Sequence, residues 1–181
     1  MLSPRQTILI STIMLAPTLS FAAGMDEDTP PKTTQTSTQC TATQLFDEKT
    51  KTCVDAQDSH LDDDTRYNAV RELAYAGQYD RAQEILATMS DQSDSRVWTY
   101  KGFIARKTGD LDQAMTYYYA ALEVDADNIL ARSYMGQGLV SIGKLDAAQI
   151  QLSEIRARGG RGTWAEYALN SALKSGKTFS Y

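Results

Sequence analysis

The chain has 181 residues, a net charge of −5 and 42% hydrophobic content, enough for one ordinary domain with ends. Its acids concentrate in residues 23–64, ten against three bases, while residues 65–181 are nearly neutral, a balance that argues against nucleic acid as a partner. With two cysteines and a single histidine, the chain does not supply a four-ligand zinc site.

A weakly basic start (Met1 to Arg5), a mostly apolar run from Ile8 to Leu19 and small residues at Ser20 and Ala22 predict a secretory signal peptide over residues 1–22. An apolar stretch of about 12 residues is too short to span about 30 Å of hydrocarbon. No cysteine stands at the cleavage point for a lipid anchor. The expectation is an exported protein without stable membrane insertion once the signal is removed. Cys40 and Cys53, with 12 residues between them, then read as a disulfide, since an even pair in an oxidising compartment oxidises. On the chain-entropy account, closing such a loop is worth about 3 kcal/mol.

Residues 24–39 contain Pro30, Pro31 and a run of Thr, Ser and Gln with little apolar content, which predicts disorder. Residues 40–53 (CTATQLFDEKTKTC) carry Leu45 and Phe46 before a polar turn at Asp47 to Thr50, and predict a small stapled hairpin. The segment resembles short disulfide-closed extracytoplasmic motifs in which an aromatic and an Asp precede the second Cys. Val54 to Asp63 reads as an acidic linker, so residues 23–63 form an acidic, largely disordered segment around a disulfide loop.

From Asp64 the hydrophobic period becomes helical. Asp64 or Thr65 is the expected N-cap before Tyr67, Val70, Leu73 and Ala74, which share a face. Further helices are predicted over Tyr79 to Met89, from Asp94–Ser95 to Gly109, and over Leu111 to Val124, Ile129 to Ile142, Leu145 to Ile155 and Thr163 to Leu173. A flexible break at residues 158–162 (RGGRG) precedes the last. Gly77, Gly109, Gly143 and Gly176 close helical runs at separations of 32, 34 and 33 residues. A shared period near 34 implies stacked supersecondary units.

At this point the residues resemble tetratricopeptide repeats. Trp98, Gly102, Gly109, Ala114, Tyr118, Ala121 and Leu122 occupy the signature spacing, with Ala126 in place of the closing Pro. A third unit keeps Gly136, Gly143, Leu145, Ala148 and Leu152 with Arg132 at the usual Trp position; a first keeps Leu73, Gly77, Tyr79, Ala82 and Leu86. A fourth offers only a first helix with Trp164, Tyr167, Leu169 and Ala172. The resemblance implies an all-α, right-handed α-solenoid of about three helix-turn-helix units over residues 64–178, with a C-terminal capping helix. In it, Gly102 and Gly136 admit the second helix of their own units, and Trp98 and Tyr118 fill the space between units.

The same resemblance places the first helix of each unit along a concave groove. The groove set is then Tyr67, Arg71, Arg96, Thr99, Tyr100, Phe103, Arg106, Ser133, Tyr134, Gln137, Glu166 and Asn170. Tyrosines interleaved with arginines suit an extended peptide, because aromatics give contact area and guanidinium groups take carboxylates in pairs. The alternative is that the tyrosines pack between repeats and the arginines are solvated. The family's carboxylate-clamp positions hold Tyr67, Arg71, Tyr100, Leu130 and Tyr134, so that clamp is missing. Arg156, Arg158 and Arg161 form a second basic spot, either a solvated turn or a dock for an acidic partner or an anionic membrane surface. The acidic stretch Asp58 to Asp64 is a candidate to fold back onto the groove arginines.

There is no Gly-rich phosphate loop and no Gly-x-Ser-x-Gly, and His60 has no second histidine to work with. The reading is therefore non-catalytic, without cofactor or metal. It is a protein-protein scaffold or adaptor of the bacterial cell envelope, in the periplasm of a Gram-negative cell, taking a protein or extended peptide in its groove. The alternative is a periplasmic chaperone holding one exported client.

Overall fold

Asp62 opens the helical part of the chain: its carboxylate accepts from the Thr65 amide at 2.8 Å and the Thr65 hydroxyl at 2.6 Å, satisfying amides that the first turn leaves orphaned. The computed structural model describes residues 36–179; the expected signal peptide and most of the expected disordered segment lie outside them. The described residues form α1 (Thr36–Gln39), β1 (Gln44–Asp47), β2 (Thr52–Asp55), α2 (Asp63–Tyr75), α3 (Tyr79–Leu86), α4 (Ser95–Thr108), α5 (Leu111–Val124), α6 (Ile129–Ser141), α7 (Leu145–Ala157) and α8 (Trp164–Ser175). They are mostly helical, and the seven helices expected after residue 63 are all present.

Local chemistry explains the boundaries. Asp94, Asp110, Asn128 and Thr163 cap α4, α5, α6 and α8 by accepting from Arg96, Gln113, Ala131 and Glu166 amides. The four glycines in register all hold positive φ, from 69° to 99°, so each turn reverses the chain through a conformation costly for other residues. α2 begins at Asp63 with Asp62 as cap, slightly earlier than the expected Asp64 or Thr65.

Consecutive helices pair (α2 with α3, α4 with α5, α6 with α7), and the first members α2, α4, α6 and α8 neighbour one another in series. One continuous apolar core runs from Leu45 through Leu73, Ile85, Val97, Phe103 and Tyr118 to Leu152 and Leu169. Two of the helical glycines do different work. A Cβ on Gly102 would sit 2.5 Å from the Tyr118 ring of α5, the approach expected within a pair. A Cβ on Gly136 would sit 2.5 Å from Leu169 of α8, so this glycine admits the next first helix, where the second helix of its own unit was expected. Trp98 and Tyr118 likewise act within their pair: Trp98 packs on Tyr117 of α5 at 5.9 Å, and Tyr118 lies over Gly102. At the position of Trp98 in the next unit, Arg132 replaces aromatic packing with hydrogen bonds to the Ala126 carbonyl and to Gln151 of α7.

The N-terminal segment departs most from expectation. β1 and β2 pair antiparallel with Phe46 opposite Cys53, and Cys40 and Cys53 are disulfide-bonded, with Cα atoms 5.6 Å apart. The hairpin is as expected, but residues 54–62 are no linker. Arg66 of α2, itself buried, donates to the carbonyls of Ala56 (2.9 Å), Asp58 (2.9 Å) and Leu61 (2.8 Å), and so winds this stretch around one guanidinium. Arg81 of α3 similarly gathers the carbonyls of Ser37, Ala42 and Gln44. Glu72 of α2 accepts from the Ser37 amide and the Thr36 hydroxyl. Leu45 is fully buried against the helices. Composition suggested an acidic, solvated head; the backbone carbonyls of that head are what the helical arginines bind.

Candidate functional site

Tyr67, Arg71 and Tyr75 recur every fourth residue along α2 and so share one face. On α4, Tyr100 and Phe103 meet them, and Tyr134 of α6 completes the group. Ring centroids lie 5.4 Å apart for Tyr67–Tyr100, 5.7 Å for Tyr75–Phe103, 6.2 Å for Tyr100–Tyr134 and 4.9 Å for Phe103–Tyr134, mostly edge to face. Three hydroxyls form a chain. Tyr100 donates to Tyr75 at 3.1 Å, and Tyr75 shares a short hydrogen bond with Tyr134. The first helices of three successive pairs are thus joined at one point.

Of the sequence-derived groove set, Tyr67, Arg71, Tyr100, Phe103 and Tyr134 are brought together here, and they are buried. Tyr67, Tyr100, Phe103 and Tyr134 are at most 4% exposed, and Arg71 is also buried. The packing alternative holds for the tyrosines. Tyr75 was missed, and its signal was the four-residue spacing from Arg71.

Electrostatics follow from that burial. Desolvation opposes the charge on Arg71, but the oxygens of Tyr100, Tyr67, Tyr75 and Tyr134 more than offset it, and its pKa rises. The guanidinium carbon lies 5.9 Å from the Tyr67 ring centre. Burial pushes the Tyr75 phenol well above its ordinary value, so it remains a neutral donor and acceptor.

The other predicted residues divide between the frame and the open face. Thr99 is structural: its hydroxyl donates to the Ser95 carbonyl and accepts from Asn128 at 3.0 Å, tying α4 to the cap of α6. Gln137 and Ser133 are buried and bond to each other. Glu166 accepts from Arg156 at 2.6 Å and the Gly162 amide at 2.8 Å, the amide first and the arginine second holding its pKa low. Arg96 is clamped by Asp94 and by Asp64 (2.8 Å) while lying 4.9 Å over Tyr67. Asp64 is thus the one member of the acidic stretch that reaches a groove arginine. Arg106 and Asn170 are half-buried. Arg106 lies over Phe103 and Tyr134, at 5.5 and 5.9 Å, and has no carboxylate partner among the described residues.

The glycine loop is not a free basic patch. Arg156 is paired with Glu166, and Arg158 with Asp127 and Glu154, leaving only Arg161 exposed without such a partner among the described residues. Nor is it a loose break, since the Gly160 amide bonds the Ile155 carbonyl at 2.9 Å. His60 contacts Asp58 and stands in solvent. Among the described residues no group of His, Cys, Asp and Glu side chains is arranged to hold a metal ion, and no helix is long and apolar enough to cross a membrane.

Compared with known proteins, the chain matches no family model, no curated protein and no solved structure.

Proposed function

We propose that the chain is a tetratricopeptide-type α-solenoid that serves as a non-catalytic adaptor of the bacterial envelope, binding an extended segment of a protein partner along the face of α2, α4, α6 and α8. The observation that carries this reading is the serial alignment of those first helices around a rigid tyrosine–arginine cluster. Rings locked by mutual packing present the half-buried Arg106, which lies over Phe103 and Tyr134, from a preorganised base, and this lowers the ordering cost of binding. The disulfide suits an oxidising, exported compartment, and the signal-like residues 1–22 give the route there. A photoreactive residue at position 170 of α8 tests the reading. It should capture the partner, whereas the same residue in place of the exposed Ile150 of α7 should not. The reverse outcome would move the interaction to the second helices.

A further inference from the structure

The chain does not stop at α8. Gly176 ends the helix in the left-handed conformation, and the Ser175 hydroxyl accepts from the Lys177 amide at 3.1 Å while donating to the Ser171 carbonyl at 2.8 Å. The tail then runs back to α4. The Phe179 ring packs 5.1 Å from Trp164 and 6.0 Å from Tyr167, and the Phe179 carbonyl accepts from Lys107 Nζ at 3.3 Å.

We propose that the slot made by Trp164 and Tyr167 of α8 with Lys107 of α4 is a peptide-docking subsite, filled in cis by Phe179, and that a partner segment enters by placing an aromatic side chain there with a carboxylate at the adjoining residue. This deepens the reading of the first-helix face as a peptide-binding surface and rests on it.

Three observations carry it. First, the slot already holds the two groups it would bind, one aromatic ring and one oxygen acceptor. Second, the fit is incomplete. Tyr167 keeps 58% of its surface exposed with Phe179 against it, so the platform is larger than one phenyl ring covers. Third, the charge has no ion-pair partner among the described residues. Lys107 and Arg106 are adjacent and half-buried. Burial, then the Arg106 charge, lowers the Lys107 pKa. A neutral carbonyl answers this cationic pair only in part, whereas a carboxylate gives the stronger charge-assisted bond. The strap Lys177–Phe179 has no regular structure of its own, and its ring and carbonyl occupy the places a partner segment would take.

The test uses the full chain carrying Phe179→Ala, titrated with two amidated peptides, Gly-Lys-Thr-Phe and Gly-Lys-Thr-Phe-Asp, and followed by the indole N–H resonance of Trp164. A tethered ligand competes at millimolar effective concentration. Both peptides should therefore shift that resonance saturably in the variant, and about tenfold or more weakly in the wild-type chain. The Asp-containing peptide should bind tighter, and Lys107→Gln should abolish that preference. An unchanged Trp164 resonance in the Phe179→Ala chain at several millimolar peptide, about the effective concentration of a tether, would overturn the proposal. So would equal shifts in both chains. Retained dispersion of the remaining amide spectrum excludes unfolding as the cause. Peptide binding without any partner captured at position 170 would leave this subsite standing and sink the wider reading; the opposite pattern would sink the subsite alone.

Discussion

The ring of Tyr118 lies where a Cβ on Gly102 would have to be, at 2.5 Å, so α4 and α5 are in contact at a spot where only a hydrogen fits. Gly102→Ala is predicted to destabilise the chain by about 1–3 kcal/mol, the usual cost of overpacking a dense core. Urea denaturation of Gly102→Ala, Tyr118→Leu and the double variant checks this. The double variant should be more stable than the sum of the two losses implies, because one site relieves the other.

The tyrosine chain gives a second prediction. Tyr75→Phe deletes the hydroxyl that links Tyr100 to Tyr134 and removes one hydrogen bond from each of those two buried phenols. A loss of about 1–3 kcal/mol is expected, with little change in helical content by far-UV circular dichroism. An unchanged urea midpoint would mean that the hydroxyl chain contributes nothing net.

The N-terminal clasp should come loose as a unit. Arg81→Ala removes the donor to three backbone carbonyls. Hydrogen exchange should then rise across residues 36–47, while α4 to α8 keep their protection. Uniform acceleration along the whole chain would show instead that the clasp and the helices unfold together.

These elements also show what could be read from the sequence. The four glycines, the capping Asp94 and the hydrophobic period are local signals, and they placed all seven helices with ends shifted by up to about three residues. The pairing of Gly136 with Leu169 was hidden because glycine spacing reports that a neighbour comes close but not which one. The docking of residues 37–62 was hidden for another reason: Arg66 and Arg81 bind main-chain carbonyls, which carry no sequence signature. For the candidate site, the register collected Tyr67, Tyr100, Phe103 and Tyr134 but not Tyr75, and it left their exposure open, since tyrosines in series along three adjacent helices pack on one another before they meet solvent.

Acid should weaken the fold through its carboxylate caps. Bonds from the Thr65 hydroxyl and amide, then from Lys49, bring the Asp62 pKa from 3.8 down to about 2. The Asp63 carboxylate is also lowered, by bonds from Ser90 and Asp91 that outweigh its burial. A depressed folded-state pKa adds stability above the unfolded value and loses it as pH falls through the folded value. Stability should thus be level above about pH 5 and decline from about pH 4 toward pH 2. Asp62→Asn should flatten part of that decline, as read from thermal melts across the range; an identical acid profile would remove Asp62 from the explanation.

The most direct test of the account compares the partner held by the wild-type chain with that held by an Arg106→Glu/Asn170→Arg variant, both isolated from the cell envelope after confirming equal melting temperatures. The account predicts a partner bound stoichiometrically by the first and lost by the second. Retention by both at equal stoichiometry would contradict a binding site on the first-helix face.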